Sequence, residues 1–257
     1  MDSDHDAYKP AQIAALIESA GVAKAHLPLP QMIMLSLLAG AFIGFGAAAY
    51  LMAITGADPG FGPVRVLGGA VFSVGLILCI VGGAELFTGN ALMVMAAVDR
   101  KITLKDLIRS WIVVYLGNFL GAVGLALAFH FSGLLDAPFG ATAAKVATAK
   151  AALGPLEAFT RGALCNALVC LAVWLSFSAR DTTGKILAIL WPVTTFVLLG
   201  LEHLIANMFL LPLGMFAGAE VSIASAATAL AWVSLGNIVG GAGGVALAYR
   251  FAYSGGR

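Results

Sequence analysis

The sequence predicts an all-α integral membrane protein whose six transmembrane helices form two inverted units of three, with the second and fifth helices broken. Three observations lead to this fold class. Of the 257 residues, 61% are hydrophobic and only 11% are charged, whereas soluble domains carry about 25% charged residues. Six long apolar runs follow a polar N-terminal region. Two of these runs share one polar interruption, and other short sequences recur at a similar spacing.

Charge and cysteine content exclude several classes of protein. A formal net charge of +1 gives no basis for binding nucleic acid. The three cysteines lie in apolar runs and have no CxxC or Cys/His spacing, which predicts free buried thiols, no metal site and no cofactor. The first residues lack the basic-then-apolar plan of a cleavable signal, so we expect the first span to insert directly.

The chain divides into a polar N-terminal part, residues 1–30, and a single membrane domain, residues 31–257. Residues 1–10 are polar, and apolar residues then follow helical spacing over 11–26, which predicts a short amphipathic helix at the membrane interface. Pro28 ends this helix, because proline cannot continue it.

Six spans follow, and two of them are too long for one crossing. The first, third, fourth and sixth spans are predicted over 32–55, 110–131, 158–179 and 226–251. The second run, 66–98, has 33 residues and would extend about 50 Å as a straight helix, against about 30 Å of hydrocarbon. The fifth, 186–216, is also too long. Both are therefore expected to break, the second near Gly82 and Gly89.

Short repeats relate the two halves of the chain. The repeats are GAELFTGN (83–90) with GLEHLIAN (200–207), GNFLGA (117–122) with GNIVGG (236–241), and AGA (39–41) with RGA (161–163). Their offsets are 117, 119 and 122 residues, which indicates one duplicated unit. A unit with three spans is odd, so the second unit enters from the opposite side of the membrane and is inverted.

The distribution of Lys and Arg predicts the orientation. With the N-terminus in the cytoplasm, ten of these residues lie inside and four outside, so both termini are expected to be cytoplasmic. One of the outside cations is Lys150, in the weakly polar stretch ATAKAAL. It is either a surface lysine or a pore-mouth cation that attracts anions.

The interruptions place polar groups inside apolar runs. Glu85 and Glu202 are equivalent, which favours a structural role: accepting backbone N–H bonds or pairing across the interior. His203 has Leu86 as its counterpart, so the symmetry breaks at a residue that titrates near neutral pH, and this favours a functional role over mere packing. Asn207 is expected to cap a broken helix. For Thr88, capping and a functional role both stay open.

Four longer stretches resemble the formate/nitrite transporter family. They are GGAELFTGN (82–90), KAALGPLEAFTRGALCN (150–166), GLEHLIANMFLLPLG (200–214) and LGNIVGG (235–241), in a resemblance that covers about residues 30–252. It implies an aquaporin-like fold in the inner membrane of a bacterium, assembled as a homopentamer with one pore per protomer. It also implies passage of a small weak-acid anion: formate, nitrite, lactate, acetate or hydrosulfide.

The resemblance assigns roles to individual residues. His203 resembles the family's central pore histidine, Lys150 its central lysine and Thr88 the threonine of the broken-helix loop. Asn166 and Asn207 match further polar motif positions. The apolar constrictions on either side of the histidine are implied at Phe72, Leu76, Leu86, Phe87, Val169 and Phe196.

The function we expect is transport of a small monovalent anion, most of all formate, coupled to protons at acidic pH. Nitrite, hydrosulfide or another short carboxylate are alternatives on the same fold. A water or glycerol channel is disfavoured because two Asn-Pro-Ala boxes are absent. An intramembrane enzyme is disfavoured because no GxSG, HExxH or GxGD motif is present. A sensory or structural protein would leave His203 unexplained.

Overall fold

The computed structural model describes residues 7–58, 60–136 and 138–254, and every regular element in these ranges is helical. The helices are α1 (Pro10–Ala25), α2 (Leu29–Ile54), α3 (Gly62–Val81), α4 (Val94–Val98), α5 (Leu104–Phe131), α6 (Pro138–Ala151), α7 (Pro155–Ser178), α8 (Thr182–Leu198), α9 (Leu204–Phe216), α10 (Ile223–Ile238) and α11 (Ala248–Ser254). A 3-10 turn, Gly89–Met93, precedes α4, and a π-helical stretch, Val239–Leu247, joins α10 to α11. Residues 1–6 of the predicted polar segment lie outside the described residues.

Five helical segments in the described ranges are long and apolar enough to cross a membrane, in agreement with the predicted all-α membrane class. They are Leu29–Ile54, Gly62–Val81, Leu104–Phe131, Pro155–Ser178 and Ile223–Tyr253. Two shorter apolar helices, α8 and α9, follow one another in the chain.

Two non-helical segments separate α3 from the following 3-10 turn and α8 from α9. The first segment, residues 82–88, contains Gly83 at φ 86°, and the second, residues 199–203, contains Gly200 at φ 68°. This left-handed backbone is readily adopted only by glycine, which explains why each segment has a glycine at that point.

The sequence prediction missed α6, which lies in what was expected to be a connection. Its composition is rich in alanine, the strongest helix former, but it is too polar to register as a span. The end of α6 reads AKAAL (149–153), and the end of α1 reads AKAHL (23–27), 126 residues earlier. The repeat unit therefore includes the helix before each set of apolar runs.

Backbone hydrogen bonds correct the alignment of α2 with α7. The Glu85 N–H donates to Leu35 O at 3.2 Å, and the equivalent Glu202 N–H donates to Arg161 O at 3.4 Å. Leu35 and Arg161 are 126 residues apart, so the predicted pairing of AGA (39–41) with RGA (161–163) is wrong by one helical turn. Because small residues recur along both helices, a match of three residues is not enough to determine how α2 aligns with α7.

Glycines let the helices of each half approach closely. A Cβ added at Gly240 would lie 1.9 Å from Ala163 O on α7, and one at Gly121 on α5 would lie 2.0 Å from Leu37 O on α2. Such contacts between small residues are the usual basis of helix packing in membranes. The three cysteines are free and buried, as predicted.

We expect Gly240→Ala to lower the apparent midpoint of thermal unfolding in detergent by about 5 °C or more, because the new methyl group overpacks against the α7 backbone. Gly243→Ala is the matched control in the same π-helical stretch, since no heavy atom lies within 4 Å of its added Cβ. Equal midpoints for the two variants would contradict the close packing of α7 on this stretch.

Candidate functional site

The two non-helical segments meet at a buried hydrogen bond between Thr88 and His203. The Thr88 Oγ1 lies 3.1 Å from His203 Nε2. Both residues are buried, with 0% and 3% of their surface exposed. The contact joins residues 115 apart in the chain, one from each half of the repeat.

The position of His203 at the start of α9 fixes the tautomer of its ring. His203 is the N-cap residue, and its Nδ1 accepts a hydrogen bond from the Ala206 N–H at 3.2 Å. Because a backbone N–H only donates, Nδ1 carries no proton in this arrangement, and the proton of the neutral ring is on Nε2. Nε2 then donates to Thr88 Oγ1, and the hydroxyl proton of Thr88 is left for another acceptor.

Asn166 holds the backbone beside this contact. Its Nδ2 donates to Thr88 O at 3.2 Å and to Asn237 O at 2.6 Å. The thiol of Cys170, one turn further along α7, also points at Thr88 O, at 3.5 Å. The Asn166 side chain therefore contacts the backbone of Thr88, and in this way it positions the threonine hydroxyl.

Glu85 and Glu202, in the two non-helical segments, are each paired with a lysine and an asparagine. Glu202 accepts from Lys150 Nζ at 2.9 and 3.0 Å and from Asn207 Nδ2 at 2.6 Å. The partners of these carboxylates are thus side chains, and not the backbone N–H groups that the sequence analysis offered as one alternative.

The same triad occurs in the first half of the chain. Glu85 accepts from Lys24 Nζ at 2.6 Å and from Asn90 Nδ2 at 2.8 Å. The sequence analysis missed Lys24 because it treated α1 as an interfacial helix outside the repeat. The signal that identifies it is the AKAxL sequence shared by residues 23–27 and 149–153.

Two cavities lie beside these triads. The first, of about 210 Å³, is lined by Lys150, Glu202 and His203 together with aromatic and aliphatic side chains, and we call it the Lys150 cavity. The second, of about 510 Å³, is lined by Lys24, Glu85 and Leu86 among others, and we call it the Lys24 cavity.

The cavities lie at opposite ends of the helices that they share. On α2, Leu35 lines the Lys24 cavity and Tyr50 lines the Lys150 cavity. Fifteen residues of helix separate them, which corresponds to about 22 Å. Gly89 lines the Lys24 cavity and His203 the Lys150 cavity, so the Thr88–His203 contact stands between the two.

Five of the six predicted constriction residues divide into three groups. Phe72 and Phe196 line the Lys150 cavity, where the Phe196 ring stacks on His203 at 5.8 Å and meets Phe72 edge-on at 5.5 Å. Leu86 lines the Lys24 cavity. Leu76 and Val169 are buried in the main apolar core.

Phe87 is placed apart from the other candidates. Its ring packs edge-on against Trp111 at 5.9 Å and Tyr115 at 5.2 Å, both on α5, and it lines neither cavity. Phe87 and Thr88 lie in a turn that the Asn90 N–H closes onto Leu86 O at 2.9 Å, and successive side chains of this turn point in different directions, with the Phe87 ring on α5.

A sequence model of the formate/nitrite transporter family matches residues 11–251. This chain belongs to the formate/nitrite transporter family. The family was expected from the motifs, and the match confirms it. As a member of this family, the chain is an integral membrane protein.

Two relatives align with nearly the whole of this chain. It is 40% identical over 252 residues to the uncharacterized transporter YrhG of Bacillus subtilis (strain 168), covering 95% of this chain and 93% of that protein. It is 38% identical over 253 residues to the formate channel BtFdhC of Bacillus thuringiensis, covering 96% of each.

A solved structure described as a pentameric formate channel with formate bound matches with a TM-score of 0.81 and 35% sequence identity. The match covers 88% of this chain and 98% of that one. At this identity and coverage, the helical fold of the transporter family is shared between the two proteins.

We expect Asn237→Ala to destabilise the protein strongly. Asn237 donates to Gly162 O at 2.9 Å and Glu202 O at 3.0 Å and accepts from the Leu204 N–H at 3.1 Å. Alanine leaves these buried backbone groups without their partner, at a cost of about 1–3 kcal/mol each. Thermal unfolding in detergent is the measurement. Thr228→Ala, which removes only an exposed hydroxyl bonded to its own helix, is the control on α10 and should unfold like the wild type.

Proposed function

We propose that this transporter carries formate across the cytoplasmic membrane of a bacterium as a homopentamer, with both termini in the cytoplasm. The observation that carries the proposal is the Thr88–His203 contact, which stands between two cavities that each contain a lysine–glutamate pair. The names of two similar proteins support the substrate, since one is a formate channel and the other a pentameric formate channel with formate bound.

The helices are proposed to make six crossings in two inverted units of three, within the membrane domain 31–257. The second crossing consists of α3 with the 3-10 turn and α4, and the fifth consists of α8 with α9. The equivalent hydrogen bonds of Glu85 and Glu202 support this pairing of the two halves. In this arrangement the non-helical segments lie inside the protein, where side chains and not lipid satisfy their backbone groups.

An apolar passage favours the neutral acid over the anion. The rings of Phe72 and Phe196 offer no hydrogen bonds, so a formate ion that passes them loses its hydration without replacement. Formic acid loses far less. Loss of water also raises the pKa of a carboxylic acid, so the anion becomes easier to protonate as it leaves the cavity.

Lys150, Thr88 and His203 have different roles in the protonation and passage of the anion. Lys150, paired with Glu202, holds the anion at short range in the Lys150 cavity and stays near the carboxylate. Thr88, whose hydroxyl proton is free of His203, donates to an oxygen of the bound acid and orients it. His203 holds or relays the proton that neutralises the anion. Protonation at Nδ1 requires release of the Ala206 N–H, so proton uptake by the ring opens the cap of α9.

Lys150→Ala is expected to reduce the initial rate of formate uptake into proteoliposomes, and Lys150→Arg to retain part of it, because arginine keeps the charge in a different geometry. The double variant Lys150→Ala with Glu202→Gln separates two causes, since it removes the lysine without leaving a buried unpaired carboxylate. We expect the double variant to assemble well and still to transport slowly. A wild-type rate in it would show that Lys150 serves only to neutralise Glu202.

His203→Asn is expected to abolish the response of formate flux to a pH gradient. Asparagine is a good N-cap residue, so it keeps the bond to the Ala206 N–H while removing the imidazole. The measurement is formate flux over a range of external pH values, with and without a gradient, in both proteins. If both respond alike, protons come from bulk water and not through His203. If the wild type carries no formate, the proposed substrate is wrong.

A further inference from the structure

The cations that line the two cavities differ in how they are compensated. In the Lys150 cavity, Lys150 pairs with Glu202, and Arg161 pairs with Glu157 at 2.5 Å. The Arg161 guanidinium also donates to Gly200 O at 3.3 Å. Both cations of this wall therefore have a carboxylate partner.

The Lys24 cavity has a cation without such a partner. Lys24 pairs with Glu85 at 2.6 Å, but Lys185 also lines the wall, and its ammonium makes no ion pair or hydrogen bond with any residue that the structure describes. The nearest acid along the helix is Asp181, one turn earlier. Its carboxylate caps α8 by accepting from the Gly184 N–H at 2.8 Å. Among the described residues that line this cavity there are thus two lysines and one carboxylate.

The stability of α8 does not account for this lysine. Lys185 is the fourth residue of α8, close to the positive end of the helix dipole, where a cation is unfavourable by about 0.3–1 kcal/mol. The residue is also partly buried, which adds a cost for the charge. Because the charge of Lys185 is unfavourable both for the stability of α8 and for its own solvation, we infer that the charge itself has a function.

We propose that Lys185 supplies the positive charge that concentrates anions in the Lys24 cavity and so sets the rate at which they reach the constriction from that side. The inference rests on the proposed function and adds a residue to it. Because Lys24 and Glu85 form a neutral pair, they hold an anion at short range but project little field. Lys185, which has no counter-ion in the described part of the chain and is set in a low-dielectric wall, attracts anions over a Debye length, about 10 Å at 0.1 M salt.

The first experiment compares formate flux through pentamers in liposomes at low and high ionic strength. Lys185→Gln should lower the flux about three-fold at roughly 10 mM salt and leave it unchanged at 0.5 M, because screening removes the attraction. Lys185→Arg should behave like the wild type. Lys185→Glu should reverse the salt dependence, so that its flux rises as salt is added.

Lys105→Gln is the matched control. Lys105 is exposed on α5, at the same end of the molecule, and lines neither cavity, so the variant makes the same change in net charge. Its flux and salt dependence should equal those of the wild type. If Lys185→Gln matches this control, or if it lowers the amount of correctly oriented protein but not the flux per pentamer, Lys185 acts only in folding or topology and the inference is overturned.

The second experiment measures the cavity potential without reference to the transported anion. Leu16 lines the same cavity from α1, and Leu16→Cys provides a thiol there, in a Cys79→Ala background because Cys79 also lines this cavity. The modification rate by an anionic methanethiosulfonate, divided by the rate with a cationic one, should fall about three-fold or more when Lys185→Gln is added. An unchanged ratio overturns the role of Lys185 even if formate transport is normal. A changed ratio supports it even if the carried anion is not formate.

Discussion

Two stretches of non-helical backbone in an apolar interior need hydrogen-bond partners, and the arrangement of the molecule follows from how they are supplied. Asn118 and Asn237 supply them from α5 and α10. Asn118 accepts from the Phe87 N–H and donates to Glu85 O and Ser36 O, at 2.8–2.9 Å. Asn237 makes the corresponding three bonds, to the Leu204 N–H, Glu202 O and Gly162 O. In hydrocarbon each unsatisfied group costs several kcal/mol, so neither segment is stable without its asparagine.

Fixing the backbone in this way also fixes the buried charges. Glu85 and Glu202 each follow the positive-φ glycine of their segment by two residues. This places each carboxylate beside a lysine near the C-terminal end of the first helix of its repeat unit, Lys24 of α1 or Lys150 of α6. A buried pair of this kind contributes little net stability, but loss of one partner costs about 3–5 kcal/mol. The pairs therefore act as a constraint on geometry: α1 and α6 are held against the segments that they cover.

Much of this was predictable from the sequence, and the failures have physical causes. The long apolar runs and the GAELFTGN and GLEHLIAN stretches identify the membrane class, because hydrocarbon leaves few alternatives to helices. α6 escaped prediction because an alanine-rich helix with lysines resembles a polar connection in composition. The partners of Glu85 and Glu202 escaped because lysines 52 and 61 residues away in the chain give no periodic signal. The packing of the Phe87 ring on α5 was not predicted, because a motif position does not state which way a side chain in a turn points.

Comparison of the two repeat units shows that the Thr88–His203 contact is where the two halves of the site differ. At an offset of 117 residues, His203 corresponds to Leu86 and Thr88 corresponds to Ile205. The hydrogen bond between His203 and Thr88 thus has an apolar equivalent, and both leucine and isoleucine lie in the main core. His203 and Thr88 are polar, they lie in different halves of the chain, and the residue equivalent to each is apolar. The duplicated scaffold therefore does not require the hydrogen bond between them. At the symmetry-related positions, Leu86 and Ile205, the side chains offer a solute no hydrogen bond. The scaffold is symmetric because its backbone must be satisfied twice, and under the proposed function the Thr88–His203 contact occurs once because a proton is exchanged only once per passage.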